Sequence, residues 1–442
     1  MTILPMKVVN MTNDIHLSAL PPIAPETLEE TELGTAFLVE LACKTLYSGG
    51  TMALASLSDR LALPASVTSD IAEILKKERL AEVKQGGDIR ATYIYALTDL
   101  GRERAREYLK VSGYAGAAPV TISQYAEATW KQSIQKIQVT AARMARAFEG
   151  VVLPTGLLDR LGPAVNSGRS IFLYGPSGSG KTFIAERLKG LMEGIIFIPR
   201  AIAVDSHVIR VFDPVCHTEI DIGDRLDAFG DILQGGPKYD RRFVLCERPA
   251  IIAGGELSMA MLDLCFDPGC GYYEAPLQLK ANGGIFVIDD LGRQMLRPFD
   301  LFNRWIMPLE RGVDYLTLRT GKKFEIPFDQ VIVFSTNMEP RELADEAFLR
   351  RLGYKIRIGH LSPPDYVAIC RQVCARLGME LRQDAIRHLV EVEHERRDVP
   401  LSACHPNDIL SRVTEICRYR GVAPHLTREL IIEACRDYFT EL

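Results

Sequence analysis

Residues 170–182 read Ser170-Ile171-Phe172-Leu173-Tyr174-Gly175-Pro176-Ser177-Gly178-Ser179-Gly180-Lys181-Thr182, and the reading of this stretch decides the fold. Ser170 to Tyr174 is a short apolar run, the composition of a parallel strand buried on both faces. It leads into Gly175–Thr182 and then into helix-prone Phe183–Leu188. This is G-x-x-x-x-G-K-[ST] with a strand before it and a helix after it, the context a phosphate loop requires. The glycines let backbone N–H groups turn inward on a β-phosphate, and the helix N-terminus adds its positive end. Lys181 is placed to reach β- and γ-phosphates, and the Thr182 hydroxyl to ligate magnesium. The motif therefore implies ATP and Mg2+ as ligands.

A phosphate loop needs a carboxylate strand. Gly283-Gly284-Ile285-Phe286-Val287-Ile288-Asp289-Asp290 supplies one, with two acids where a parallel strand would end. In that position Asp289 holds magnesium through water and Asp290 polarises the attacking water. A further apolar run, Gln330-Val331-Ile332-Val333-Phe334, ends in Ser335-Thr336-Asn337. The Asn337 amide either orients the lytic water or caps the next turn. Beyond it, Phe348-Leu349-Arg350-Arg351-Leu352 sets two guanidiniums in a row. A planar, always-charged donor suits the γ-phosphate of a neighbouring subunit; an ordinary solvated pair is the other reading.

Phosphate loop, acidic strand, Asn-tipped strand, Arg pair and a helical C-terminal piece, in that order, resemble the AAA+ ATPases over residues 148–442. The resemblance implies sensor 1 at Asn337 and an arginine finger at Arg351 or Arg350. It also implies a helical lid over 361–442 and a homo-oligomeric ring, usually a hexamer, with nucleotide between subunits. Ala281-Asn282-Gly283-Gly284 is similar to the MoxR-like and chelatase-like side of the superfamily, and the chain also resembles bacterial chaperone-like ATPases. The chain departs from the pattern twice. Asp290 stands where the family usually has Glu, one methylene longer, which implies slow hydrolysis or a shifted water. In the sensor 2 stretch, Cys404-His405-Pro406-Asn407-Asp408, Asn407 takes the place of the arginine, and Arg412, just over one turn later, is the candidate substitute.

Ahead of the motor, helical periods around Leu38, Leu41 and Leu46, around Leu54, Leu57 and Leu61, and around Val67, Ile71 and Leu75 precede two alternating runs. The runs flank Gly86-Gly87, a hairpin signal, and a helix starts at Thr98-Asp99. Residues 34–112 thus resemble a winged helix-turn-helix, with Tyr95-Ala96-Leu97-Thr98-Asp99-Leu100-Gly101 typical of the segment after the wing. A DNA reader needs clustered cations to displace counterions. Residues 34–110 hold eleven Lys/Arg against ten Asp/Glu, a balance of +1, and Glu73, Glu78 and Glu82 are interleaved with Lys76, Lys77, Arg79, Lys84 and Arg90. Protein docking is the favoured use of this module and duplex binding its rival.

The chain has 442 residues, 47% hydrophobic and 25% charged, with a formal net charge of −5. At roughly 150 residues per domain that length suggests two or three domains. These values exclude a wholly disordered or collagen-like chain, and a weakly acidic balance argues against global coating of nucleic acid or anionic membrane. Ten cysteines include no Cys-x-x-Cys, so reduced, mostly buried thiols are expected. With no apolar N-terminal h-region and no run near the roughly 20 residues of a membrane span, a soluble cytoplasmic protein is expected.

The expected organisation is a flexible arm over 1–33, the winged helix over 34–112, a linker becoming one connecting helix over 113–150, an α/β nucleotide-binding domain over 151–360 and the lid over 361–442. Trp130, Ile134, Ile137 and Met144 are the expected buried positions of the connecting helix. Ala201–Phe212 reads as an inserted hairpin turning at Asp205-Ser206. The loop Asp267–Pro276 carries Tyr272 and Tyr273, which either face a ring's pore or pack beneath their own loop. The fold class is α/β, a P-loop NTPase parallel core with a helical C-terminal lid behind a winged helix. The function expected is Mg-ATP hydrolysis by a ring-forming protein that remodels a protein partner recruited through the winged helix. The alternative is an ATP-switched DNA-binding regulator or loader.

Overall fold

The computed structural model describes residues 21–86, 92–192, 194–221 and 239–439. At the centre is a five-stranded sheet ordered Ala250–Ala253, Ile285–Ile288, Val331–Thr336, Ile171–Tyr174 and Tyr354–Arg357. Every neighbouring pair in it is parallel. The fold class is therefore the expected α/β one. The strand tipped by Asn337 lies between the phosphate-loop strand and the acidic strand. Because the strands are parallel, the loops after Tyr174, Ile288 and Thr336 leave from one edge of the sheet, where open α/β sheets bind ligands.

Side-chain alternation along each apolar run explains why both faces are covered. Ile171, Leu173, Val287, Val333 and Ile356 share one cluster with Leu161, Ile184 and Leu188. Phe172, Phe286, Ile332 and Phe334 share the other with Phe302 and Trp305. Each such side chain is stabilised by about 1.5–3 kcal/mol relative to exposure, so a polar residue at Phe286 or Phe334 would break the sheet's contact with the helix Pro298–Arg311.

Residues 361–439 build a separate helical cluster around Tyr366, Leu389, Ile409, Val413 and Ile431. Its first helix, Pro363–Leu377, begins with prolines behind Ser362, whose side chain accepts from the Asp365 N–H. Proline suits that first turn because its missing N–H would be unpaired there anyway. Cys370, Cys374, Cys417 and Cys435 are free, buried thiols of this core.

At the other end, helices Thr35–Gly49, Leu54–Leu61 and Ala65–Lys77 precede strands Ala81–Gln85 and Ile94–Leu97 and the helix Asp99–Val111. Met52–Ala53 adds a third strand to that sheet. Thr98 caps the closing helix, and a Cβ on Gly101 would lie 1.9 Å from the Leu80 carbonyl oxygen. Gly87 and Arg90 lie outside the described residues.

This unit is docked on the core. Arg241 donates to Asp59 at 2.5 Å, to Ser58 Oγ at 3.1 Å and to the Leu63 carbonyl at 3.0 Å. The Ala118 N–H donates to the Leu61 carbonyl at 2.8 Å. The contacts fall on the last turn of the helix Leu54–Leu61 and on the turn that follows it.

Several expectations change. Residues 1–20 of the arm lie outside the described residues, but 21–33 are held rather than free. Asp240 N–H donates to the Pro22 carbonyl at 2.7 Å, and the Glu32 carboxylate accepts from Thr121 at 2.7 Å and Ser123 at 2.8 Å. The connecting helix is broken into Ile122–Lys131, a short turn Ile134–Lys136 and Ala141–Ala147. Gln132 and Ser133 cause the break. The Gln132 amide pairs both ways with the Phe197 backbone at 2.6 and 2.8 Å, while Ser133 Oγ and the Ile134 N–H donate to buried Asp329 at 2.7 and 2.9 Å. Ile134 and Met144 are buried and Ile137 partly so, whereas Trp130 is exposed.

The hairpin Ala201–Val204/His207–Arg210 forms around Asp205-Ser206. It joins Val120–Thr121, Cys265–Asp267 and Tyr272–Glu274 in a second five-stranded sheet. The loop tyrosines are packed: Tyr273 is buried with its hydroxyl accepting from the Arg319 N–H at 3.0 Å, and Tyr272 meets Tyr114 edge-on at 5.6 Å. Packing beneath the loop, rather than a free aromatic grip, is what these side chains do.

Candidate functional site

The phosphate loop is held from both sides. Gly175 has φ +143°, and a Cβ there would lie 2.1 Å from the Ile358 carbonyl oxygen, at the end of the neighbouring strand. Gly178 has φ +74°, and its Cβ would lie 2.4 Å from Cys404 Sγ. The Cys404 N–H donates to the Gly178 carbonyl at 3.1 Å. Positive φ and close approach together require glycine at both places.

The helix Lys181–Lys189 starts at the loop's end, so Lys181 folds back beneath it. Its ammonium donates to Gly175 O at 2.9 Å, Pro176 O at 2.8 Å and Asn337 Oδ1 at 2.7 Å. Burial pushes the Lys181 ammonium below the usual lysine range, and the negative charges of Asp290 and Asp289 oppose that shift. Next door, Thr182 Oγ1 donates to Asp289 Oδ1 at 3.0 Å.

Asp290 follows in the left-handed region, φ +51°, which Asp tolerates better than most residues. The turn it starts is tied to the Asn337 strand: the Leu291 N–H donates to Ser335 O and Thr336 Oγ1 to Leu291 O, both at 2.7 Å. Gln294 braces the turn from within, donating to Asp289 O at 2.6 Å and accepting from the Gly292 N–H at 2.9 Å.

Around these groups lies a cavity of about 690 Å³, within the range of small-molecule sites. Ser177, Gly178, Ser179, Gly180, Lys181, Thr182, Asp290 and Asn337 line its polar part; Val151, Leu153, Ile369 and Val373 line an apolar part. Gln372, Arg376 and Asn407 reach it from the helical unit, and Gln372 donates to the Gly150 carbonyl at 2.9 Å.

Most residues singled out from the sequence thus come together. Gly175 and Pro176 meet the site through their carbonyls on Lys181, and Asp289 through Thr182. Three arginines do not. Arg350 donates to Glu346 at 2.8 Å and Arg351 to Glu310 at 3.3 Å, and neither lines the cavity. Arg412 is a correction: it donates to the Asp437 carbonyl at 3.2 Å and lies over the Tyr438 ring at 5.4 Å. Five residues along a helix turn a side chain by about 140°, so Arg412 cannot share the face of Asn407.

Arg376 was not foreseen, and its guanidinium donates to Asn407 Oδ1. The signal was a helical stripe, Ile369-Gln372-Val373-Arg376, at spacings of three and four, all of which line the cavity.

Among the described residues no helix is long and apolar enough to cross a membrane. Residues 362–437 match the model of a domain of unknown function, DUF8689. No curated protein matches the chain. Among solved structures it is similar to NtrX from Brucella abortus, with 14% identity, 67% of this chain, 58% of that chain and a TM-score of 0.40. This chain therefore spans less than two thirds of NtrX. A RuvB variant of Thermotoga maritima is similar at 10% identity, 69% and 71% coverage and a TM-score of 0.35. Domain III of the replication initiation protein DnaA from Thermotoga maritima is similar at 14% identity, 66% and 97% coverage and a TM-score of 0.36.

Proposed function

We propose that the chain is an AAA+-type ATPase of the MoxR-like kind, binding Mg-ATP in the cavity and coupling its hydrolysis to remodelling of a protein partner. One observation carries the reading: Lys181, Thr182, Asp290 and Asn337, from the loops that follow three adjacent strands, line the polar wall of one cavity, with Asp289 joined to it through the Thr182 hydroxyl. The donor set fits the ligand. Glycines at positive φ leave a cradle that a Cβ would fill, and a hydroxyl beside a carboxylate suits a hard cation that keeps water and phosphate oxygens as its other ligands. Bound magnesium would neutralise charge developing between β- and γ-phosphates.

The chain's own groups do the rest. Lys181 gives up its bonds to Asn337 and the loop carbonyls for phosphate oxygens. Asn337, released, orients water, and Asp290 accepts its proton. The left-handed backbone at Asp290 supports a carboxylate that need not be as long as Glu to reach the cavity. Arg350 and Arg351, outside their own cavity, are the donors offered to the next subunit of a ring, taken as a hexamer.

The docked state of 34–112 supports a protein partner over DNA. Its inter-helix turn is engaged by Arg241, and its cations are partly neutralised, Lys84 by Glu82 at 2.5 Å and Lys76 by Glu73 at 3.7 Å. The test is phosphate release with nucleotide binding. Lys181→Ala weakens binding by at least about tenfold and abolishes phosphate release, and Asp290→Asn retains ATP without turnover. Unchanged turnover in Lys181→Ala overturns the assignment.

A further inference from the structure

We infer that the groove between the helices Pro363–Leu377 and Gln383–His388 is a docking site for a protein partner, which enters as an acidic amphipathic helix with its apolar stripe inward. The occupant is a partner of the kind the proposed function requires, but the groove stands whether or not the other cavity takes nucleotide. Its volume is about 480 Å³, room for a few anchoring side chains.

Two helical stripes make the groove. Pro364, Val367, Ala368 and Arg371 line it from the first helix; Gln383, Ile386, Arg387 and Val390 line it from the second and the turn that continues it. Spacings of three and four put each set on one face. Ile369, Gln372 and Val373 of the first helix line the other cavity instead. Successive helical residues diverge by about 100°, so one helix serves two sites from two faces.

The groove is held in shape before anything enters it. The second helix continues into a π turn, Leu389–Glu393, a rare conformation often found at functional sites. The turn is pinned from inside, where the buried Glu393 carboxylate accepts from Arg397 and meets His388 Nε2 at 3.2 Å. The Tyr366 hydroxyl and His394 Nε2 share a hydrogen bond of 2.9 Å, which fastens the first helix to the end of that turn. A preformed groove lowers the ordering cost of binding.

Floor and rim choose the occupant. Val367, Ala368, Ile386 and Val390 are apolar, whereas Arg371 and Arg387 are exposed and have no hydrogen-bond or ion-pair partner among the described residues. Nearby Arg382 is paired with Asp384 at 3.3 Å, so the cations that face the groove are the ones left open. Against these two guanidiniums stands one lining carboxylate, Glu391, which leaves the groove positive on a chain with a formal net charge of −5. A docked helix presents apolar anchors at spacings of three and four. Carboxylates along the edges of that stripe are the groups a planar guanidinium matches best. Nucleic acid takes a longer run of cations, and a membrane surface takes a projecting apolar face; a concave floor between two arginines suits neither.

The test is selection of a random peptide library, about four helical turns long, on the full chain without nucleotide, followed by fluorescence anisotropy of the recovered peptides. Peptides with Asp or Glu flanking apolar residues at helical spacing are expected, and their affinity should fall as salt rises. Arg371→Glu combined with Arg387→Glu is expected to weaken them by at least about tenfold, the worth of a charge-assisted bond. Ala368→Trp, which fills the floor and keeps both cations, should weaken them comparably, and Arg412→Gln should change nothing. An unchanged unfolding midpoint certifies each fold; should Ala368→Trp not fold, the exposed arginine pair carries the test. Recovery of basic or neutral peptides, of acidic ones indifferent to these variants, or of none overturns the inference. So does binding of RNA or anionic vesicles, or self-association of the chain, that the arginine variants abolish while no peptide is recovered. Each of these outcomes leaves the nucleotide site untouched.

Discussion

The Lys181 ammonium and the Asn337 amide oxygen are 2.7 Å apart, so the strand tip holds the cation that the phosphate loop must present to its ligand. A buried ammonium with three oxygen partners is satisfied, and a phosphate has to replace those bonds rather than add to them. Removing the competitor and removing the cation should therefore act in opposite senses. Lys181→Ala is expected to weaken ATP by at least about tenfold, the worth of a charge-assisted bond. Asn337→Ala should leave affinity equal or tighter while turnover falls by at least an order of magnitude. Titration with a fluorescent nucleotide and a phosphate-release assay separate the two. If Asn337→Ala weakens binding as much as Lys181→Ala, the amide is holding the loop together and has no catalytic share.

Gly178 tests the seam between loop and helical unit. Alanine there meets Cys404 Sγ and must keep φ +74°, which costs an L-residue roughly 1–2 kcal/mol. Nucleotide affinity of Gly178→Ala should fall by about tenfold or more. Adding Cys404→Ala removes the clash but not the backbone strain, so the double variant should recover part of the loss. No recovery would mean that the loop and Cys404 do not press on each other.

The phosphate loop was legible because its chemistry is local. Glycine spacing, Lys181 and Thr182 are consecutive, and the strand before them is a plain apolar run. The acidic strand and Asn337 were legible as strand ends, where the register of Ile285–Ile288 on Val331–Thr336, and of that strand on Ile171–Tyr174, leaves little choice of position. The face of a helix relative to a distant cavity was not. Nothing within a turn of Asn407 announces Arg376, which arrives from a helix some thirty residues earlier. The broken connecting helix was hidden likewise: Gln132 and Ser133 are compatible with a helix until Phe197 and Asp329 compete for their hydrogen bonds.

Arg350 and Arg351 lie outside their own cavity, bonded to the carboxylates Glu346 and Glu310. An arginine serving a neighbour's nucleotide predicts complementation. Arg351→Ala keeps its own loop, and Lys181→Ala keeps its arginines; each alone should be inactive. Mixed before assembly, they form interfaces in which an intact loop meets an intact arginine, and turnover should return. The same mixture with Arg350→Ala identifies which of the two acts. Mixtures that stay silent at every ratio argue against donation between subunits.

His405 sets a pH limit on the helical unit. Its ring is nearly buried, tilted against His394 and edge-on to Tyr438 and Phe439. Burial first, then the proximity of His394, lowers its pKa from 6.5 to about 4, with Asp408 pulling the other way and His360 adding to the depression. Burial lowers His394 too. In the unfolded chain these imidazoles take protons near pH 6.5, while in the folded chain His405 resists until about 4. The unfolded state therefore binds more protons between those values, and stability must fall as pH falls through the window. For His405 alone a shift of that size corresponds to about 3 kcal/mol once pH has dropped below both values. Thermal unfolding of the full chain should lose stability steadily from pH 6.5 to 5, where most carboxylates remain ionised. His405→Leu removes the proton uptake and should flatten that slope, even if its absolute stability is lower. Because the Cys404 N–H hands its bond to the Gly178 carbonyl one residue before His405, loosening this helix start should also loosen the phosphate loop. Hydrogen exchange at the Cys404 amide should then accelerate, beyond the intrinsic pH trend, in the same pH interval in the wild type and not in His405→Leu; equal pH profiles for the two proteins would separate the histidine from the site.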